Sequence, residues 1–287
     1  MIRDVMAISL QGIPRGLRIR LAVCAAVVLL AGAGLLLLPL TELDRQVKRL
    51  ADRHARVRAQ AAVKLGQMGQ RAAVEPLIAA LTDANERVRM SAADALGLLA
   101  DRRAFEPLKA ALDDASKFVR AAAACALGKL GDPRAVEPLL LAAKDPEPSV
   151  AGQALLALGR LRDARALEPL LAALDDRSVR RQAAAALGYL GRTEAVEPLL
   201  RALKINEPVL RESAAEALGR LGDPRAVEAL MVAAADAAGR VRLRAVEALG
   251  RLGDARAAEI LTRAEKDADV DVRRAAAEAL QAIHKGR

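Results

Sequence analysis

Histidine and cysteine, the residue types that most often carry chemistry, are rare in this 287-residue chain. It has two histidines, His54 and His284, and two cysteines, Cys24 and Cys125. Neither histidine precedes a glutamate, and the two stand near opposite ends of the chain, so they cannot build one metal site together. The sequence holds no serine–histidine–aspartate set, cysteine–histidine pair, phosphate-binding loop or zinc-ligand spacing. It therefore predicts no catalytic residue, no metal ligand and no cofactor.

Aspartate, arginine and glutamate instead recur at fixed spacings. One aspartate stands six residues before an arginine in four places, and a "VEPL"-type glutamate recurs seven times. The Asp/Arg spacing leaves two interpretations open, namely ion pairs between repeats, or aspartates that cap helices while the arginines bind nearby turn carbonyls. Seven carboxylates at one structural position indicate a scaffold role rather than seven active sites. The residues are Asp83/Arg89, Asp114/Arg120, Asp236/Arg242 and Asp267/Arg273, and Glu75, Glu106, Glu137, Glu168, Glu197, Glu228 and Glu259.

The elements that position these residues form an internal repeat. The string "ALGKLGDPRAVEPLL" at 126–140 returns as "ALGRLGDPRAVEALM" at 217–231. Leu-Gly pairs recur every 31 residues, except for one interval of 29, with glycine at positions 66, 97, 128, 159, 188, 219 and 250. The frame extends upstream to about residue 42, which predicts eight repeats over 42–287.

Each repeat is predicted to be a helical hairpin. Asp132 is a good N-cap and Pro133 suits the first helical position. Pro138 either kinks the first helix or marks its true start after a preliminary turn. The second helix is expected from about Val150, with Gly159 at or near its end as a C-cap. The composition agrees, since 53% of residues are hydrophobic but only 1% aromatic, and alanine, leucine and arginine favour helices.

The segments "LGDPRAVEPL" (130–139) and the Asp-x5-Arg spacing resemble HEAT repeats of the short bacterial type found in phycobilin lyases. The resemblance implies an all-α solenoid that supplies binding surfaces, and fold alone does not define function. A related HEAT-repeat family, the deoxyhypusine hydroxylases, holds two irons with His-Glu pairs. His54 and His284 cannot supply that ligand set, so the resemblance does not extend to that activity.

The N-terminus predicts a membrane helix. Residues 21–40 contain twenty residues without a charge, about the 30 Å thickness of a bilayer core. The expected organisation is a basic tail (1–20), a transmembrane signal anchor (21–40) and the solenoid (42–287). We expect the solenoid on the extracytoplasmic side of a bacterial inner membrane. A cleaved signal sequence and a buried helix are the alternatives.

The net charge of +9 is compatible with nucleic-acid binding, but the distribution of the charges does not favour it. Acidic and basic residues alternate rather than forming a dense basic stripe, and there is no aromatic platform for base stacking.

A binding face is predicted on the second helices, which line the concave side in stacked hairpins of this kind. Three register positions share that face, and its middle is comparatively apolar. The irregular repeats four and five lie there, with Ala151 in place of the ladder arginine. Candidate binding residues are Leu98, Cys125, Leu156, Arg160, Gln182, Tyr189, Glu216 and Arg220. The alternative is that Leu98 and Leu156 pack on the next repeat.

The function expected from the sequence is a membrane-anchored, non-catalytic scaffold that binds a protein or peptide partner on this concave face. The alternatives are a bilin-lyase-like factor that handles a covalently attached ligand, and a nucleic-acid-binding solenoid.

Overall fold

The structure, a computed structural model, describes residues 41–285 and shows there sixteen α-helices and no strand. The predicted all-α solenoid is confirmed. Helices alternate between short first helices, with odd numbers, and longer second helices, with even numbers. The array from Gln46 onward is one compact unit. The helices are α1 (Glu42–Arg49), α2 (Ala55–Met68), α3 (Val74–Ala80), α4 (Glu86–Leu99), α5 (Phe105–Ala110), α6 (Lys117–Leu130), α7 (Val136–Ala142), α8 (Pro148–Leu161), α9 (Leu167–Ala172), α10 (Arg180–Leu190), α11 (Val196–Ala202), α12 (Pro208–Leu221), α13 (Val227–Ala233), α14 (Gly239–Leu252), α15 (Ala258–Ala264) and α16 (Val270–Lys285).

A single 3₁₀ turn precedes each first helix from α3 onward. In the fourth repeat this turn is Pro133–Ala135, and the Asp132 carboxylate accepts a hydrogen bond from the Arg134 N–H. Helix α7 then starts at Val136, so Pro138 lies in its first turn, where a missing N–H costs little. Of the two interpretations of Pro138, the preliminary turn is therefore correct.

The Leu-Gly glycines lie inside the second helices, which corrects the predicted C-cap role. Helix α8 continues two residues past Gly159 to Leu161, and Arg162 takes the left-handed C-cap conformation. A Cβ at Gly159 would stand 2.4 Å from the Ala186 carbonyl oxygen of α10. Glycine is therefore required here because neighbouring helices approach closely, not because the chain turns.

This glycine–alanine contact recurs along the stack and sets the spacing of the second helices. A Cβ at Gly97 would stand 2.8 Å from the Ala126 Cα, and one at Gly128 would stand 2.6 Å from the Ala157 Cβ. Successive second helices pack along their length, whereas successive first helices make few contacts with one another. In a curved array the more tightly spaced layer lies on the inside, so this packing favours the second helices as the inner layer. Lys64 stands where the later repeats have the contact alanine.

The Asp/Arg ladder connects neighbouring repeats. Arg89 donates two hydrogen bonds to Asp114 of the next repeat, at 2.7 and 2.8 Å, and one to the Asp83 carbonyl of its own turn, at 2.8 Å. Asp114 also accepts a bond from the Ser116 N–H, which fixes the turn. Both sequence interpretations are thus partly right. The same bidentate pairing joins Arg58 to Asp83, Arg120 to Asp145, Arg211 to Asp236 and Arg242 to Asp267.

Within residues 41–285, five of the seven recurrent glutamates form a second set of bridges, each from a first helix to an arginine in the 3₁₀ turn of the next repeat. Glu75 binds Arg103 at 3.0 Å, and Glu137 binds Arg165 at 2.7 Å. These side chains are largely exposed, so each pair contributes little stability by itself. Their regular placement connects neighbouring repeats on the first-helix side.

The ladder is interrupted between the fourth and fifth repeats. Ala151 of the fourth repeat provides no guanidinium to the following turn, and α10 of the fifth repeat begins late, at Arg180. Arg180 pairs with Glu207 instead of an aspartate. The two-residue deletion in the turn at 174–178 shortens the approach to α10, which explains why this helix is shorter than the other second helices.

The predicted membrane localisation is contradicted. Within residues 41–285, no helix is both long and apolar enough to cross a bilayer. The segment 21–40, on which the predicted transmembrane anchor and the extracytoplasmic placement rested, lies outside the described residues.

Candidate protein-binding face

The solvent-facing side of the even-numbered helices is termed here the second-helix face. Of the eight candidate residues, Leu98, Arg160 and Arg220 are exposed, and Leu98 presents 57% of its surface to solvent. The remaining five are half-buried, namely Cys125, Leu156, Gln182, Tyr189 and Glu216. Leu98 is thus available on this face, whereas Leu156 is partly covered. Gln182 packs over Gly152, where an added Cβ would lie 3.0 Å from its side chain.

Three of the candidate residues form a column across repeats four to six. The Tyr189 ring has the Arg220 guanidinium 4.1 Å from its centroid and the Arg160 guanidinium at 5.7 Å. Arg220 also donates a hydrogen bond of 2.7 Å to Glu216. Such cation–π contacts hold the ring in place at a partly exposed site. The structure therefore brings Arg160, Tyr189, Glu216 and Arg220 together.

Charges on the C-terminal half of this face neutralise one another. Arg244 donates a 3.0 Å bond to Glu247 and lies 3.6 Å from Glu212 and 3.8 Å from Glu216. Burial lowers the Arg244 pKa, but its acidic neighbours outweigh that effect and the net direction is upward. This part of the face offers a partner few uncompensated charges.

A groove lies on the same face further toward the N-terminus, at a place that the sequence pattern did not predict. It has a volume of about 580 Å³ and lies between α2 and α4. Its floor is apolar and its charged rim is basic. The lining residues are Ala55, Arg56, Ala59, Gln60, Val63, Lys64, Gln67, Asn85, Arg87, Met90 and Ser91.

Apolar surface continues from this groove onto α6. Met90 also lines a smaller recess beside Phe118, together with Glu86 and Arg87. Phe118 presents 56% of its surface to solvent and Val63 presents 43%. In sequence, a lone phenylalanine before the repeat valine, and Lys64 in place of alanine, were the available signals for this region.

Another groove, of about 630 Å³, lies on the first-helix side between repeats three and four. The Arg134 guanidinium covers the Phe105 ring there at 4.1 Å. Its rim mixes Lys109, Lys144 and Arg134 with four carboxylates. This mixture makes the first-helix groove a weaker candidate than the one on the second-helix face.

No group of three or more metal-ligating side chains comes together among residues 41–285. Cys125 in that range is a free, half-buried thiol. His54 pairs with Asp52 at 3.1 Å within its own turn, which is a local contact.

The family model for HEAT repeats matches residues 43–124, 105–178, 169–247 and 228–286. Among solved structures, the chain is similar to the CpcE–CpcF complex of phycocyanin lyase from Nostoc sp. PCC7120, with 25% identity, a TM-score of 0.55, and coverage of 85% of this chain and 96% of that one.

It is also similar to YibA of E. coli, with 24% identity, a TM-score of 0.57, and coverage of 83% of this chain and 92% of that one. Human deoxyhypusine hydroxylase matches with 27% identity over 85% of this chain and 96% of that one, but with a TM-score of only 0.40. No curated protein matches in sequence. With the family model matched along the whole described array, the chain belongs to the HEAT-repeat family.

Proposed function

We propose that this chain is a non-catalytic scaffold whose second-helix face binds a protein or peptide segment. The observation that carries the proposal is the groove between α2 and α4, with exposed Val63, Leu98 and Phe118 on the same face. Apolar surface surrounded by polar groups is typical of protein-binding sites. The family and the likeness to CpcE–CpcF, a complex of two proteins, support the same proposal.

The groove geometry favours a peptide-like partner. Successive packed helices are about 8–10 Å apart, so an elongated segment can contact several second helices at once. Leu98 and the Tyr189 column would extend the contact toward the middle of the array. A few large side chains at the centre of such a contact supply most of the binding energy.

The bilin-lyase-like and nucleic-acid-binding alternatives receive less support from the side chains. Phe118 is the only exposed aromatic ring among residues 41–285, so the face offers no series of rings on which successive bases could stack. Most arginines of the ladder already bind carboxylates of the neighbouring repeat. The lyase alternative has the likeness to CpcE–CpcF in its favour, and no arrangement of side chains in residues 41–285 adds to it.

A peptide-display selection against the full-length chain tests the proposal. Fluorescence anisotropy then measures the affinity of the selected peptides for the unchanged chain and for three variants, Val63→Asp, Leu98→Asp and Val232→Asp. Val232 is the control because it is 77% exposed but lies on first helix α13. We expect at least one second-helix variant to weaken binding by about ten-fold or more, with Val232→Asp unchanged. Failure to select any peptide, or equal binding by all variants, contradicts the proposal.

A further inference from the structure

The groove between α2 and α4 has an unusual charge distribution. Three cationic side chains line it, from Arg56, Lys64 and Arg87, and no carboxylate does. All three residues are exposed. The first-helix groove of similar size combines three cations with four carboxylates. The α2–α4 groove therefore presents a single sign of charge to whatever enters it.

These three cations also differ from most arginines of the array. Within residues 41–285, none of them forms an ion pair or a side-chain hydrogen bond. By contrast, Arg58 and Arg89, on the same two helices, each bind an aspartate of the next repeat in bidentate fashion. The ladder arginines connect neighbouring repeats, whereas the side chains of Arg56, Lys64 and Arg87 bind no other side chain in residues 41–285. Their charges are available to a partner.

The apolar floor runs obliquely across successive helices. The repeat valine at the start of each second helix provides a common reference, namely Val57, Val88 and Val119. Val63 lies six residues after it on α2, Met90 two residues after it on α4, and Phe118 one residue before it on α6. From α2 to α4, and again from α4 to α6, the apolar residue therefore shifts by about one helical turn toward the helix N-terminus. Three anchors on adjacent helices span about 20 Å, which is the length of a helix of about 14 residues.

Resting on the proposed function, we propose that this groove binds an acidic amphipathic helix of a protein partner. The apolar face of that helix packs on Val63, Met90 and Phe118, and its flanking carboxylates face Arg56, Arg87 and Lys64. Helix-in-groove recognition places apolar anchors at i, i+3 or i+4, and i+7. A single-sign rim selects partners of opposite charge and rejects those of like charge. Glu86 is the one carboxylate beside Phe118, and it accepts a hydrogen bond from Ser116.

Two matched synthetic peptides test this inference with the full-length chain. Both have about 14 residues with leucine on one helical face, and the remaining positions are glutamate in one and lysine in the other. We expect the acidic peptide to bind at least about ten-fold more tightly, and its affinity to fall with added salt. Equal affinity of the two peptides overturns the inference.

Charge reversal locates the site. The Arg87→Glu variant should bind the acidic peptide with an affinity at least about five-fold lower. The double variant, with Arg56→Glu and Arg87→Glu, should bind the basic peptide more tightly than the acidic one. Arg240→Glu is the control, because Arg240 holds the same register position on α14 and is 80% exposed at its side chain. It should change binding less than two-fold. Unchanged melting curves confirm that the variants fold, and an Arg87→Glu protein that still prefers the acidic peptide overturns the inference.

Other occupants are distinguished in the same assay. A single-stranded oligonucleotide or anionic lipid vesicles that bind more tightly than the acidic peptide, with the same dependence on Arg87, overturn the inference. If display-selected peptides depend on Leu98 but not on Arg87 or Val63, the proposed function stands and this inference falls. If no peptide binds through the second-helix face, both fall.

Discussion

The Arg220 guanidinium stacks on the Tyr189 ring at 4.1 Å and joins the fifth repeat to the sixth. Arg160 of the fourth repeat approaches the same ring at 5.7 Å. This column crosses the junction where Ala151 interrupts the Asp/Arg ladder. Tyr189 therefore contacts both neighbouring repeats, including the fourth, to which no ladder pair connects the fifth.

Substitution of Tyr189 and of Leu127 should have different effects on stability. Leu127 is fully buried, so Leu127→Ala should lower the free energy of unfolding by about 2–5 kcal/mol. Tyr189 is half-buried and its cation–π contacts are partly exposed, so Tyr189→Ala should cost less, about 1–2 kcal/mol. Chemical denaturation followed by circular dichroism measures both. A Tyr189→Ala protein as unstable as Leu127→Ala would show that Tyr189 is a core residue.

Alanine at two helical glycines should change stability in opposite directions. A Cβ at Gly128 would stand 2.6 Å from the Ala157 Cβ, so Gly128→Ala should destabilise by about 1–3 kcal/mol through overpacking. A Cβ at Gly152 would meet only the flexible Gln182 side chain, at 3.0 Å. Gly152→Ala should therefore gain up to about 1 kcal/mol from helix propensity. Similar melting temperatures for the two variants would contradict the close-approach explanation.

The C-cap of α4 offers a stabilising substitution. Ala100 has φ of 49°, whereas most other second helices have glycine at the equivalent position, for example Gly131. A left-handed conformation costs a non-glycine residue about 1–2 kcal/mol, partly offset by the greater freedom of glycine in the unfolded chain. Ala100→Gly should raise the melting temperature, and the reciprocal Gly131→Ala should lower it. A lower melting temperature for Ala100→Gly would contradict the cost assigned to this cap.

Acid should destabilise the array through its aspartates. The Arg89 guanidinium lowers the pKa of Asp114, outweighing burial, which raises it, and the Arg103 hydrogen bond lowers the pKa of Asp101 to about 2. Because these folded-state values lie below the unfolded value of about 3.9, the stabilisation is complete above about pH 5 and is lost between about pH 4 and pH 2.

The melting temperature should accordingly be level from neutral pH to about pH 5 and fall steeply below pH 4. Asp114→Asn should lower the melting temperature at neutral pH and show a smaller further loss in acid. Thermal melts across this range provide the measurement. An equal melting temperature at about pH 2.5 and at neutral pH would show that the ladder aspartates do not contribute to stability.

The repeat architecture could be predicted from sequence because the same unit of about 31 residues recurs along the chain. Its N-cap aspartate, its proline and the spacing of its apolar residues all indicate a helix at the same place. The role of Gly159 could not be predicted, since glycine suits both a C-cap and a close approach, and only the neighbouring Ala186 decides between them. The partner of each ladder arginine was equally ambiguous, because spacing within a repeat does not reveal contacts between repeats.

The binding face was only partly predictable. Its register on the second helices placed Arg160, Tyr189 and Arg220 together, as the structure does. The groove between α2 and α4 was missed because its floor combines Val63 and Met90 from different positions of two repeats. A search along one register position at a time does not detect such an oblique strip. The eight candidate residues stay a prediction for binding.

Photo-crosslinking of a display-selected peptide to the full-length chain shows directly which helices bind it. The peptide carries a photoreactive residue at an apolar position, and mass spectrometry identifies the crosslinked residues. We expect crosslinks to the second-helix face, mainly at Val63 and Met90, and also at Leu98 or Tyr189 if the contact extends. Crosslinks confined to first helices, for example at exposed Leu141 on α7, would contradict binding on the second-helix face.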